Sequence, residues 1–65
     1  LRLDVHMALD NLPPELKDVT ILFFFQEVKQ KEIAKILGIS LPLVKYRIKR
    51  AKELLAAFLG KEEMP

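Results

Sequence analysis

Apolar positions along this chain recur at spacings of three and four with few interruptions, and they divide it into four segments. Leu1, Val5, Ala8, Leu9 and Leu12 repeat at helical spacing, which predicts a first helix over roughly Leu3 to Asp10 with that stripe buried. Asn11-Leu12-Pro13-Pro14 breaks it, because each proline disfavours helical geometry in the residue before it. A second helix restarts near Pro14, with proline in the tolerated first turn and Glu15 at the positive end of the helix. It is expected to run to about Gln26 or Val28. The run Ile21-Leu22-Phe23-Phe24-Phe25 suits a buried strand by composition, but Leu16, Val19 and Phe23 keep helical spacing and no pairing strand exists elsewhere. The segment therefore reads as a helix that is nearly all buried.

A third helix is predicted from about Gln30 to Leu37, with Ile33, Ala34, Ile36 and Leu37 on its inner face. Gly38 stands where a helix C-terminus favours a left-handed residue. Ile39 follows as an apolar plug, and Ser40 can cap the next helix. That fourth helix starts at Leu41 or Pro42, runs through Leu59 and stops at Gly60. The fold class is therefore all-α, a small four-helix domain over residues 1–60 with a frayed tail at 61–65.

The window from Gln30 to Ile48 has the spacing of a helix-turn-helix. Ala34 is small enough for a close crossing, Gly38 makes the turn, and Ile39, Val44 and Ile48 fill the wedge. At about 100° per residue, Val44, Ile48, Ala51, Leu55 and Phe58 gather on one side of the fourth helix. Pro42, Lys45, Tyr46, Lys49 and Glu53 gather on the other, with Arg50 beside them. The N-terminal part of such a second helix enters the DNA major groove. Lysine and arginine donate to guanine O6 and N7, and a tyrosine ring touches a thymine methyl or a sugar. The plainer alternative is that Lys45 and Arg50 bind phosphate alone and carry no sequence information.

Charge sharpens this expectation. Between Lys29 and Lys52 there are eight lysines and arginines against Glu32 alone, a net +7, while the rest of the chain carries −5. Such segregation points to a polyanionic partner for one face, although a solvated basic face gives the same count. Lys29, Gln30 and Lys31 open the third helix, whose free amides suit a phosphate. The alternative there is exposed lysines with no fixed partner. Arg47 lies on the flank of the wheel and is expected to pair with Glu32 or to reach a phosphate.

Composition excludes more than it assigns. There is no cysteine and one histidine, His6, so neither a disulfide nor a metal site is expected, and His6 reads as a surface residue. The longest apolar runs, Ile21–Phe25 and Leu54–Leu59, are too short to span a bilayer, and no signal peptide is visible. No nucleophile triad, glycine-rich phosphate loop or carboxylate pair suggests an enzyme, and no cofactor is expected. Leu1 in place of Met leads us to expect that the chain is part of a longer protein.

The stretch Leu12-Pro13-Pro14, Ile21-Leu22, Phe25, Glu32-Ile33-Ala34-Lys35-Ile36-Leu37-Gly38-Ile39-Ser40, Val44-Lys45, Arg47-Ile48 and Arg50-Ala51 resembles the C-terminal region four of bacterial sigma factors. The extracytoplasmic-function group is the most similar, and the likeness covers roughly residues 7 to 59. The resemblance implies cytoplasmic promoter binding at the −35 element, docking on the β-subunit flap of the RNA polymerase core, and, in many members, sequestration by an anti-sigma factor. By position, the promoter-reading face is Lys45, Tyr46, Lys49 and Arg50, with Pro42, Lys29 and Lys31 as further DNA contacts. Four departures stand out: Pro42-Leu43 replaces a common Gly-Thr pair, Tyr46 a small serine, Lys29 a hydroxyl cap, and Phe23 a basic residue. Phe23 with Leu3 and Met7 is therefore a candidate partner-binding patch, against the alternative of ordinary core or scattered surface residues. Two other functions fit the same helices: the DNA-binding effector domain of a response regulator or repressor, and a helical module that binds protein only.

Overall fold

The first helix ends as its sequence dictates. The computed structural model describes the backbone of residues 3–59 and side chains from His6 to Phe58, so Leu1 and the tail at 61–65 lie outside the described residues, as do the side chains of Leu3 and Val5. Helix α1 spans Leu3–Asp10. Both the amide and the side-chain Nδ2 of Asn11 donate to the carbonyl of Met7, at 3.2 and 2.9 Å, which satisfies a carbonyl that a helix end leaves unpaired. Helix α2, Pro14–Thr20, starts with Pro13 in an extended conformation and Pro14 in the first turn. Helices α3 and α4 span Gln30–Leu37 and Leu41–Leu59.

The second helix departs from the expectation. It is α-helical only to Thr20, and Ile21–Phe25 continue as a π-helix. The Gln26 amide accordingly donates to the carbonyl of Ile21, five residues back, at 3.0 Å. The change of pitch falls beside Thr20, a buried polar residue whose hydroxyl donates to the Leu16 carbonyl at 2.8 Å. Hydroxyl back-bonding of this kind loosens and bends a helix. The wider turn closes with the Val28 amide on the Leu22 carbonyl at 2.9 Å, and Glu27 between them takes a left-handed φ of 56°. Nor is this segment nearly all buried: Phe24 and Phe25 are exposed, and Phe23 is half-buried.

Two apolar clusters form the core. Leu9, Leu12, Leu16 and Ala51 make the first, with Leu54 and Leu55 packed against it. Val19, Ile33, Val44 and Ile48 make the second, flanked by Leu22, Phe23, Val28, Ala34, Leu37 and Ile39. Helix α1 contributes only to the first cluster and α3 only to the second, while α2 and α4 contribute to both. Two expected core residues lie outside. Ile36 is 56% exposed and Phe58 44% exposed. Periodicity says which way a side chain points, and whether another element covers it depends on the tertiary arrangement. Ile36 sits about 60° round the helix from Ile33 on the side away from Leu37, and Phe58 lies a turn beyond the half-buried Leu54 and Leu55.

Gly38 and Glu27 are the two residues with positive φ among those described, and they allow opposite tests. A β-carbon on Gly38 would meet no atom within 4 Å, so Gly38→Ala is expected to cost only the left-handed backbone strain, about 1–2 kcal/mol. Glu27→Gly relieves the same strain and should stabilise by up to about 1 kcal/mol. Urea unfolding of the two variants measures both, and a destabilised Glu27→Gly would contradict the strain at that site.

Candidate nucleic-acid interface

The geometry of the third and fourth helices is set by the three residues between them. Gly38 adopts φ 69° and ψ 36°, and its amide donates to the Ala34 carbonyl. The Ile39 amide donates to the same carbonyl at 3.0 Å. These bonds close the end of α3. Ile39 packs on the second cluster beside Ala34 and Leu37, which fixes the exit direction of the chain. Ser40 then caps α4: its Oγ accepts from the Leu43 amide at 3.2 Å, and its carbonyl accepts from the Val44 amide at 3.1 Å. Pro42, in the first turn, has no amide to satisfy.

With its start fixed, α4 can turn only one face inward. Val44, Ile48 and Ala51 are buried. Pro42, Lys45, Tyr46, Lys49, Arg50 and Glu53 are all exposed, and Tyr46 is 60% exposed. Arg50 donates from Nη1 to Glu53 Oε1 at 3.1 Å, one turn further on. Lys52 lies at the edge of this face, with its Nζ 5.8 Å from the centroid of the Phe24 ring, within cation–π range. At the start of α3, Lys29 is extended and offers no side-chain cap. The first-turn amides of α3 therefore remain open beside the exposed Lys29 and Lys31. Arg47 is half-buried, but it forms no ion pair with Glu32; the described ion pairs are Lys17–Asp10 and Arg50–Glu53.

The candidate partner patch is distributed differently from the DNA face. Met7 is 50% exposed. Phe23 packs against the second cluster, and its ring meets Phe24 edge-on at 4.9 Å. The side chain of Leu3 lies outside the described residues. Sequence reasoning did not single out Phe25, which with Leu9 and Ile21 lines an apolar groove of about 310 Å³ between α1 and the second helix. His6, Asp10 and Lys17 form its polar lining, and Lys17 Nζ is 3.0 Å from Asp10 Oδ1. The signal for this groove was the unbroken aromatic run, whose two exposed members the single-helix reading placed inside. No cluster of metal-ligating side chains occurs among the described residues, and none of the described helices is long and apolar enough to cross a membrane.

A short helix ending at a left-handed glycine, followed by a capped helix with a basic outer face, is a helix-turn-helix DNA-binding domain. The family model for sigma-70, region 4 matches residues 2–55. The RNA polymerase sigma factor SigV of Bacillus subtilis is 44% identical over 61 residues, covering 94% of this chain and 37% of that protein. The ECF RNA polymerase sigma factor SigE of Mycolicibacterium smegmatis is 36% identical over 58 residues, covering 89% of the chain and 23% of that protein. The chain belongs to the sigma-70 region 4 family. This is a DNA-binding and non-enzymatic family, and nothing in these matches supports a response-regulator or repressor effector domain. The chain spans 37% and 23% of these relatives' own length. No solved structure matches it significantly.

The Ser40 cap gives the site its own test. Ser40→Ala removes the acceptor for the Leu43 amide and should cost about 1 kcal/mol of stability. Ser40→Asp restores an acceptor and places a negative charge at the helix start. It should recover the loss in a thermal melt, and equal melting of the alanine and aspartate variants would rule the cap out.

Proposed function

We propose that this chain reads the −35 element of promoters, as the DNA-binding module of a cytoplasmic sigma factor that directs RNA polymerase to initiate transcription. The observation that carries this reading is the outer face of α4. Lys45, Tyr46, Lys49 and Arg50 are exposed together on a helix whose inner face is buried at Val44, Ile48 and Ala51. Lys45, Lys49 and Arg50 supply donors for guanine O6 and N7 and for phosphates, and Tyr46 supplies an apolar edge for a thymine methyl. Pro42 brings the first turn close to the groove wall. Lys29 and Lys31, at the open start of α3, hold a phosphate on the flank of the same groove.

The RNA polymerase core is the second partner. Both relatives are RNA polymerase sigma factors by name, and docking on the β-subunit flap is the family behaviour that the resemblance implies. Leu3, Met7 and Phe23 are the residues expected to form the protein-facing patch. Met7 on α1 and Phe24 and Phe25 on the second helix are exposed apolar residues that support a protein-facing surface there. An anti-sigma factor would compete for the same kind of surface.

Two measurements test the reading, both with the full-length sigma factor and core polymerase. Replacing Lys49 and Arg50 together by alanine should abolish binding that depends on the −35 element while leaving the helical circular dichroism unchanged. It should also flatten the logarithmic salt dependence of DNA binding by about 1 for each phosphate no longer neutralised. Unaltered promoter affinity in that variant removes α4's outer face from DNA recognition. Met7→Asp should weaken flap or anti-sigma binding several-fold and spare DNA. Normal binding to both partners places the protein-facing patch elsewhere.

A further inference from the structure

Glu53 is the one acidic residue of α4. On the helical wheel it falls almost opposite Val44, near the middle of the exposed face and below Tyr46. An anion there repels phosphates and weakens binding to every DNA sequence. Its ion pair with Arg50 gives no structural reason for it, since the two side chains are 48% and 51% exposed and exposed pairs add little to stability. What the pair does is orient the arginine. Glu53 Oε1 holds Arg50 Nη1 at 3.1 Å. A guanidinium carries five N–H donors in a rigid planar fork. With Nη1 held on one side, the edge formed by Nε and Nη2 stays open, and it carries the two parallel N–H bonds that guanine O6 and N7 accept.

We propose that Glu53 is a positioning residue for promoter reading: by holding Nη1 of Arg50, it presents the Nε–Nη2 edge to a single guanine and gives up general DNA affinity for base discrimination. This rests on the reading of α4's outer face as the promoter-facing surface. Lys45 and Lys49, as flexible point charges, cannot be directed in this way.

The test compares the full-length sigma factor with Arg50→Ala, Glu53→Ala and Glu53→Gln, each with core polymerase. The substrates are a set of promoter fragments carrying every single-base change in the −35 element and one duplex without a promoter. Arg50→Ala should flatten a guanine preference at one position by roughly tenfold, the discrimination expected of one bidentate contact. Glu53→Ala should flatten the same position several-fold while raising affinity for the promoterless duplex. Glu53→Gln should raise that affinity equally but keep the guanine preference, because its amide oxygen still accepts from Nη1. Circular dichroism on each variant confirms the helix. A preference that survives Glu53→Ala, or one lost equally in Glu53→Gln, overturns the proposal while leaving Arg50 as a base reader. An Arg50→Ala variant with no position-specific effect overturns base reading by this side chain, and the role of Glu53 with it.

Discussion

The carbonyl of Ala34 is the point on which the basic face depends. It accepts the amides of Gly38 and Ile39, and only a left-handed residue at Gly38 lets both reach it. Those two bonds decide where Ile39 enters the core and so where Ser40 begins α4. A helix starting one residue earlier or later would turn about 100°, bringing Lys45 inward and Val44 toward water. The short side chain at Ala34 belongs to the same constraint, since it packs on the second cluster beside Ile39. Backbone geometry at the turn and the apolar wedge beneath it therefore specify one rotation of α4 and reinforce each other.

Below that turn the domain is held by two small cores rather than one. Helices α2 and α4 run through both, while α1 and α3 each serve one. The largest fully buried side chains, Ile33, Val19 and Val44, lie in the second core, under the helix-turn-helix. The bulkiest fully buried side chains thus lie where the orientation of the basic face must be held. A chain of 65 residues has little interior to distribute. The polar cost inside is met locally, with Thr20 as the one buried polar residue among those described and its hydroxyl satisfied by Leu16.

Much of this was legible in the sequence because it is local. The limits of α1, α3 and α4, the glycine at 38 and the serine cap at 40 follow from a few neighbouring residues each. The exposed side of α4 follows from the period of one helix. The second helix was less legible. Its π-helical half lies between the Thr20 hydroxyl bond and Glu27 in a left-handed φ, and glutamate is not a residue that advertises that conformation. Ile36 and Phe58 were misplaced because the wheel cannot count the neighbours available to cover a side chain. The expected Arg47–Glu32 pair required knowing the distance between two helices. Within the basic face, the Arg50–Glu53 pair has helical three-residue spacing but was not read from the sequence, and the approach of Lys52 to Phe24 could not be, because it crosses from one helix to another.

The division of the core has an evolutionary consequence. Substitutions far enough apart to share no partner combine additively. Leu9 of α1 and Leu12 of the turn after it belong to one cluster and Ile33 of α3 to the other, so these two outer helices can drift with little regard for each other. Changes at Val44 and Ile48 are tied to α3, and changes at Ala51 to α1. A lineage can therefore remodel the surface around α1 to suit a new protein while the turn at Gly38 keeps its register. The reverse holds for the outward side chains of α4, which touch neither cluster. Only α2 and the inner edge of α4 are answerable to both halves, and in a family of relatives they are where sequence change should be slowest.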